Sequence, residues 1–299
     1  MDKSVEMSHY ETDKKLDELE QKLRRVYGRA QIEIDEKAQK YFDQFKKADE
    51  AKRKLVDEGK LSPEEYKGWR KNKLLYGKRF TQLKEQIAEE CANANKTAFK
   101  YINGELPEVY ALNYNALSDA VEGVGGYSFT LTDANTVKFL ATTDESLLPY
   151  KDPDAIKGML WDKKQIQSEV LQGILQGEPI TDIAKRLQKI AGMEKSNALT
   201  NARTMITGAE NRGRLDSMKR AQKDGIILQK EWISSDQPGR TREWHLPRSF
   251  EHLVVDVDEP FVNGRGEIMY PGDPSAHPAN VYNCRCTLGY VIKGFKKVK

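Results

Sequence analysis

Two cysteines and two histidines near the end of the chain have the types and spacing of a metal site. Cys284 and Cys286 are separated by one residue. Residues two apart in an extended strand project to the same side, so both thiols face one place. Two thiolates with imidazoles nearby are the donor set that tetrahedral Zn²⁺ prefers. We therefore predict a zinc site with His245 as the third ligand and His277 as the fourth.

The same residues allow other interpretations. Asp236 and His252 are reserve ligands for the metal. Without a metal, Cys284 and Cys286 would be buried thiols and the histidines would hydrogen-bond to loops. A disulfide between the two cysteines would close a strained ring, and a reducing cytosol does not favour it. His245 acting as a general base oriented by Asp236 is less favoured, because no nucleophile is obviously partnered and the chain has no Gly-rich phosphate loop.

The residues around this cluster predict a small β-rich module over 226–299. A strand-like run at 226–233 follows Gly225, a natural helix C-cap. Shorter apolar runs follow at 253–257, 260–262 and 268–270. The turn sequence Asn263-Gly264-Arg265-Gly266 lies between the last two runs and predicts a β-hairpin. The module ends in a basic tail with Lys293, Lys296, Lys297 and Lys299.

The rest of the chain predicts an α+β protein that is predominantly helical. We divide it into a long helical hairpin at 1–104, a mixed connecting segment at 105–154, a helical domain at 155–225 and the β-rich module at 226–299. Apolar residues recur every three or four positions from Leu16, the spacing of an amphipathic helix. Ser62-Pro63-Glu64-Glu65 predicts a capping box that starts the second helix of the hairpin. Each helix would be about 60 Å long.

The connecting segment and the helical domain are predicted in more detail. The segment would hold a short helix over 108–121 and a strand pair at 127–131 and 137–141. The first helix of the domain would bury Trp161, Ile166, Val170 and Ile174. Thr181 would cap the second helix. A third helix over 194–224 would bury a stripe of small residues, which implies close approach to another element. Its opposite face carries Arg203, Glu210, Asn211 and Arg214.

Isolated residues elsewhere suggest no second reactive site. Cys91 lies on the apolar stripe of the hairpin and is interpreted as a core residue. His9 is given no role. The aromatic residues Tyr66, Trp69, Tyr76 and Phe80 lie among lysines and arginines. That mixture suits a nucleic-acid surface, but their helical spacing favours packing.

Composition excludes several classes of protein. The chain has 299 residues, a net charge of +3 and 32% charged residues, which is typical of long solvated helices. No apolar run approaches the roughly 20 residues of a membrane span, and the N-terminus lacks the apolar core of a signal peptide. Three cysteines are too few for a disulfide scaffold, which indicates synthesis in a reducing cytosol.

The order of the motifs resembles the Mu F-like minor head protein family of tailed phages, also called phage head morphogenesis proteins. The likeness covers about residues 155–290. The residues that carry it are Ala202-Arg203-Thr204, Asn211-Arg212-Gly213-Arg214, Trp232, Asp236, Arg240-Thr241-Arg242, His245, Pro260-Phe261, Tyr270-Pro271-Gly272-Asp273 and Asn283-Cys284-Arg285-Cys286. Two departures are Met205, where an acidic residue is common, and Arg248-Ser249, where a glycine-containing turn is usual.

The resemblance implies a structural role rather than an enzymatic one. We expect a virion component made in the bacterial cytoplasm and located in the capsid interior near the portal. The expected partners are the portal or the major capsid protein and packaged double-stranded DNA, with no membrane and no small-molecule substrate. The expected roles are head morphogenesis and DNA packaging or delivery. The alternatives are a zinc-dependent hydrolase or nuclease using His245, and a DNA-binding module using the basic helix face and tail.

Overall fold

The fold is seen in a computed structural model that describes residues 2–75, 77–125, 131–152, 157–176, 178, 180–235 and 241–296. Its helices are α1 Lys3–Asp57, α2 Pro63–Leu75, α3 Lys78–Gly125, α4 Ala134–Thr143, α5 Lys157–Leu175, α6 Ile180–Lys223 and α7 Pro278–Val281. Its strands are β1 Ile226–Ile233, β2 Val254–Asp256, β3 Phe261–Asn263, β4 Gly266–Ile268 and β5 Thr287–Phe295. The described chain is therefore predominantly helical with small antiparallel sheets near its end, as the sequence predicts.

Contacts divide the chain into two units. The terminal unit comprises Met1–Gln21, Lys100–Lys151 and Leu199–Lys299, and the helical unit comprises Lys22–Phe99 and Asp152–Ala198. The predicted boundaries at residues 104, 154 and 225 stay a prediction. None of the helices in the described part of the chain is both long and apolar enough to span a membrane.

In the helical unit, α1 and α3 run antiparallel. Lys37 of α1 donates to Glu90 of α3 at 2.6 Å, and Tyr27 pairs with Asn95 further along. The core between these helices and the described parts of α2, α5 and α6 buries residues such as Ile34, Phe42, Phe80, Ile87, Cys91, Ile166, Val170 and Leu187. The predicted core role of Cys91 is confirmed, and burial raises its pKa well above the ordinary value.

The end of α1 and the start of α2 follow the predicted signals. Gly59 takes a positive φ of 67° after α1, the left-handed conformation that glycine adopts at little cost. The Ser62 hydroxyl accepts the Glu65 N–H at 3.2 Å, and the Glu65 carboxylate accepts the Ser62 N–H at 3.0 Å. This reciprocal pair is the predicted capping box. The second helix of the predicted hairpin is not continuous, however, because α2 ends at Leu75 and α3 begins at Lys78.

Two predicted breaks are absent, and one predicted strand is a helix. Helix α3 continues through Pro107 to Gly125, because Leu106 and Val109 beside the proline extend the same buried stripe. The prediction of a separate helix over 108–121 was therefore wrong, because these residues belong to α3. Helix α6 is also continuous across the predicted helix start at residue 194. Gly192, just before that position, is an isolated glycine, and such a residue weakens a helix by only about 1 kcal/mol.

The predicted strand at 137–141 lies inside α4. The Asp133 carboxylate caps this helix by accepting the N–H groups of Asn135 and Thr136 at 2.8 and 2.9 Å. The N-cap at Asp133 favours the start of a helix, whereas the residue types that follow it favour a strand. The partner strand at 127–131 falls almost entirely outside the described residues, as do the side chains of Trp161, Ile174 and Thr181.

The terminal unit holds both sheets. Strand β1 lies between β2 and β5 and pairs antiparallel with each. Strands β3 and β4 form a separate hairpin in which Asn263 opposes Gly266, so the predicted turn is confirmed. The core of this unit buries Leu117, Leu215, Met218, Leu228, Trp232, Val257, Phe261, Ile268 and Leu288, among others. Helices α3 and α6 thus supply the surface on which the sheets pack.

Candidate functional site

The structure brings three of the predicted metal ligands together. Nδ1 of His245 lies 3.5 Å from Sγ of Cys284 and 3.7 Å from Sγ of Cys286. One donor atom from each of the three side chains lies within 4.8 Å of the other two. All three residues are about 2% exposed. The cluster is therefore a closed, buried set of two sulfurs and one imidazole.

Polar side chains of α6 hold the cysteine segment in place. Thr207 Oγ1 donates to the carbonyl of Cys284 at 2.7 Å, and Asn211 Nδ2 donates to that of Cys286 at 3.3 Å. The segment precedes β5, and Asn283 before it takes a positive φ of 54°. The two cysteine side chains therefore share one side because α6 fixes their backbone, rather than because they lie within a strand.

Aromatic rings surround the imidazole. His245 ends a short 3₁₀ turn, Glu243–His245, whose last carbonyl accepts the hydroxyl of Ser234 at 2.5 Å. The ring centroid of Trp232 lies 5.2 Å from that of His245 in an edge arrangement, and Phe250 and Phe261 pack against Trp232 at 4.7 and 5.4 Å. This packing excludes water and orients the imidazole toward the sulfurs.

The two thiols do not titrate alike. A hydrogen bond from Cys284 lowers the pKa of Cys286 well below the ordinary value, and His245 lowers it further despite burial. The same hydrogen bond raises the pKa of Cys284, and burial adds to that rise. The cluster thus favours a thiolate at Cys286, the form that binds metals.

The spacing of the three donors fits three corners of a tetrahedral zinc site. Bonds of about 2.3 Å to sulfur and about 2.0 Å to nitrogen place those two donors about 3.5 Å apart at a tetrahedral angle. The two Sγ–Nδ1 distances of 3.5 and 3.7 Å agree with that separation. Nε2 of His245 is buried and has no hydrogen-bond partner within the described part of the chain. Thiol–imidazole hydrogen bonds have similar lengths, so the same distances also suit two buried thiols that hydrogen-bond to the imidazole.

The predicted fourth ligand lies elsewhere. His277 is exposed, and its Nδ1 accepts the N–H of Ala279 at 3.2 Å as the N-cap of α7. Placing His277 with the cysteines was wrong, because the Pro278 that follows it starts this short helix and commits the imidazole to its cap. The reserve ligand His252 is also exposed and outside the cluster. The other reserve ligand, Asp236, lies outside the described residues.

The structure also reveals a second buried polar cluster, around Arg214. Its side chain is 0% exposed. It donates to Thr287 Oγ1 at 2.5 Å, to the Leu288 carbonyl at 2.9 Å and to Asn113 Oδ1 at 2.9 Å. It also donates to the Val5 carbonyl at 2.9 Å. One guanidinium therefore ties the start of α1, helix α3 and strand β5 to α6 within the terminal unit.

Glu210 completes this cluster and brings in His9. Its Oε1 lies 2.8 Å from Nδ1 of His9 and 3.3 Å from the Arg214 guanidinium, and it accepts the Thr287 hydroxyl at 2.7 Å. Burial alone would raise the pKa of Glu210, but His9 and Arg214 hold it below the ordinary value. Burial acts to lower the pKa of His9, but Glu210 outweighs it and the pKa is raised.

The sequence analysis placed these side chains wrongly. Glu210, Asn211 and Arg214 were predicted on the face of the helix opposite its buried stripe, yet all three are at most 2% exposed. Helix α6 is covered on both faces in this region, so polarity did not indicate exposure. The predicted close approach is confirmed: a Cβ added to Gly213 would lie 2.5 Å from the Tyr110 carbonyl.

Comparison with known proteins finds a family to which part of the chain is similar. Residues 164–289 match the model of the family described as Phage Mu protein F like protein. That range contains α6, His245, Cys284 and Cys286. Residues 164–289 are a Mu F-like region. The resemblance that the motifs predicted is therefore confirmed.

Two relatives extend the comparison to individual proteins. The chain is 27% identical over 202 residues to the minor head protein GP7 of Bacillus phage SPP1, covering 67% of this chain and 64% of that protein. It is 27% identical over 129 residues to the uncharacterized protein YqbB of Bacillus subtilis (strain 168), covering 42% of this chain and 41% of that protein. The match thus spans less than two thirds of either relative. No solved structure gives a significant match.

The Mu F-like motif residues are mainly buried packing and capping groups. Trp232 packs against His245, and Phe261 packs against Trp232. Asp273 accepts the N–H groups of Met269 and Ser275 at 3.1 and 2.9 Å. Arg242 donates to the Tyr282 carbonyl.

The two departures from the motif pattern leave this architecture intact. Met205 is buried, and Arg248 and Ser249 belong to a second 3₁₀ turn, Pro247–Ser249. The Ser249 hydroxyl donates to the Glu243 carbonyl at 2.5 Å. That bond joins the two turns, so the segment after His245 has a defined path without the usual glycine.

Proposed function

We propose that this protein is a minor head protein of a tailed phage that acts in head morphogenesis. One observation carries the proposal: the Mu F-like region matches by sequence. Several of its signature residues are buried, namely Asn211, Arg214, Trp232, His245, Cys284 and Cys286. The relative from phage SPP1 is named a minor head protein. The chain would be a virion component at the capsid interior near the portal, with the portal or major capsid protein as partner and a part in DNA packaging or delivery.

The proposed role is structural rather than enzymatic. A catalytic zinc keeps an open coordination position that substrate and water can reach. His245, Cys284 and Cys286 are all about 2% exposed, which argues against the hydrolase or nuclease alternative.

Deleting the gene from the phage or prophage that carries it tests the head function. We expect mutant lysates to give fewer infectious particles or defective heads, and the protein to co-sediment with wild-type procapsids. Plasmid expression of the chain should restore the number of infectious particles and the formation of normal heads. Unchanged particle numbers and infectivity without the protein would contradict the proposal. Separate pull-downs with purified portal and major capsid protein then distinguish the two partners.

We propose further that zinc bound by His245, Cys284 and Cys286 staples the cysteine segment to the turn that carries the histidine. Zinc would supply bonds that hold these segments together, as in other structural sites. Protein purified without chelators should contain one equivalent of zinc by elemental analysis. His245→Ala and Cys286→Ser should each lose the metal and lower the melting temperature.

His277→Ala is the matched control for the zinc experiment. Because His277 caps α7 and does not join the cluster, this variant should keep its zinc. Asp236→Asn examines the remaining reserve ligand in the same assay. Protein without zinc, whose melting temperature is insensitive to a chelator, would instead support buried thiols that hydrogen-bond to the imidazole.

A further inference from the structure

A groove lies in the helical unit beside the end of α2 and the start of α3. We call it the elbow groove, and its volume is about 590 Å³. Three aromatic side chains, Tyr41, Phe45 and Trp69, and three cationic ones, Lys73, Lys78 and Arg79, line it. That volume lies within the range of specific binding pockets.

The charge of the elbow groove has one sign. None of its described lining residues is acidic. Lys73, Lys78 and Arg79 are exposed, and the described contacts pair none of them with a carboxylate. The guanidinium of Arg79 donates to the neutral Gln44 at 3.3 Å. The nearby Asp49 is already engaged, since it lies 3.4 Å from Arg70 and accepts the Tyr66 hydroxyl. The groove therefore presents cations that a negatively charged partner could neutralise.

The aromatic lining is already held by internal contacts. Trp69 stacks on Phe45 with a centroid separation of 5.7 Å and on Tyr66 with 6.2 Å. Tyr41 packs against Phe42 at 5.1 Å, and its hydroxyl donates to the Lys73 carbonyl at 3.2 Å. The rings thus form a fixed apolar wall, and the indole is not free to stack on a nucleic-acid base.

We propose that the elbow groove binds an acidic, amphipathic segment of a partner protein. Its apolar side chains would lie against Tyr41, Phe45 and Trp69, while its carboxylates would pair with the cations. This is the helix-in-groove mode of recognition, in which apolar anchors supply contact area and charge supplies specificity. A duplex nucleic acid would use the cations but leave the apolar wall without a partner.

This interaction surface is separate from the Mu F-like framework. The residues that line the elbow groove precede residue 164, where the family match begins. The inference therefore does not rest on the proposed head function, and it holds or fails on binding alone.

A direct binding experiment with the full chain tests this proposal. The probe is a fluorescein-labelled amphipathic peptide of about 18 residues, with leucines on one helical face and glutamates on the other. We expect fluorescence anisotropy to show saturable binding. The double variant K73E/K78E should weaken that binding by at least about tenfold. A peptide with lysines in place of the glutamates should not bind.

K71E is the matched control because Lys71 is exposed on α2 but does not line the groove. It reverses one lysine charge on α2, as the K73E half of the double variant does, and should leave peptide affinity unchanged. A circular dichroism melt confirms that each variant is folded. Equal loss in K71E, or no binding of the acidic peptide, would overturn the proposal. Binding of a duplex of about 20 base pairs in place of the peptide, abolished by K73E/K78E, would assign the groove to nucleic acid.

Discussion

Each unit of the protein buries a carboxylate, and the two are treated in opposite ways. Glu210 in the terminal unit contacts His9, Arg214 and Thr287 at 2.8, 3.3 and 2.7 Å. Asp162 in the helical unit is 0% exposed, and neither of its oxygens has a hydrogen-bond partner among the residues that the structure describes. Burial, and to a smaller extent Glu194, raises the pKa of Asp162 to about 7.

The difference teaches how burial of charge can specify a structure or weaken it. A fully partnered buried network holds its elements in one arrangement, because each alternative leaves a polar group unpaired. Around Glu210 and Arg214, that network joins three helices and a strand. Asp162 has no such network, so the helical unit tolerates this side chain only at a cost in stability.

Removal of Arg214 should have the largest effect. Arg214→Met removes the guanidinium that donates to Asn113 and one of the two cationic groups beside buried Glu210, and breaking a buried charge pair costs about 3–5 kcal/mol. Urea denaturation should show the terminal unit losing most of its stability. Arg203→Met is the control, because Arg203 pairs with Glu20 at the partly exposed surface and should cost less than about 1 kcal/mol. Similar losses in the two variants would contradict the view that the buried Arg214 network stabilises the unit more than the partly exposed Arg203 pair does.

Gly213→Ala tests whether the network depends on close approach of α6 to α3. The new Cβ would lie 2.5 Å from the Tyr110 carbonyl, a backbone atom that cannot move aside alone. We expect a loss of about 1–3 kcal/mol, as for overpacked cores. Gly104→Ala in α3 is the control, because its Cβ meets nothing within 4 Å and alanine favours a helix. A neutral Gly213→Ala variant would show that the helices are not held at that distance.

Asp162→Asn should stabilise the helical unit, the reverse of the result at Arg214. Between pH 3.8 and about 7 the folded protein holds a proton at Asp162 that the unfolded chain releases, so wild-type stability falls across that interval. The asparagine variant should match the wild type near pH 4 and exceed it by about 1–3 kcal/mol above pH 7. Asp43→Asn, at an exposed site of the same unit, should show no such trend. A pH-independent difference would exclude titration of Asp162 as the cause.

The sequence predicts those features of this protein that depend on neighbouring residues. Apolar spacing located the hairpin and the core position of Cys91, and turn chemistry located the β3–β4 hairpin, because both signals are local. The His245, Cys284 and Cys286 cluster was predictable from residue types alone. His277 was misplaced because a short loop helix, which the pattern does not reveal, uses its imidazole as a cap.

The buried polar cluster around Arg214 was missed for a different reason. A charged helix face normally faces water, so Glu210 and Arg214 were assigned to an exposed side. Their burial depends on residues about 70 to 200 positions away in the chain, including Thr287 and Val5. No periodicity within a helix records such pairings. The family-like sequence from Asn211 to Arg214 was the one local signal, and it marked the cluster without giving its partners.

His9→Gln is the last and smallest test, and it concerns a residue to which the sequence assigned no role. The raised pKa of His9 means that its charged contact with Glu210 stabilises the fold fully below the unfolded value of 6.5 and is lost as pH rises through the folded value. The lowered pKa of Glu210 means that its contribution is present above 4.5 and is lost on acidification. The pair should therefore stabilise most between about pH 4.5 and 6.5.

Glutamine keeps a neutral hydrogen-bonding group near Glu210 but cannot carry the charge. We expect His9→Gln to cost about 1 kcal/mol at pH 5.5 and progressively less toward pH 9, measured by urea denaturation in steps of pH. A constant cost for His9→Gln across the range would mean that His9 acts as a neutral hydrogen-bonding group. Glu210 would then rely on Arg214 for its compensating charge, which would move the whole electrostatic balance of the cluster onto α6.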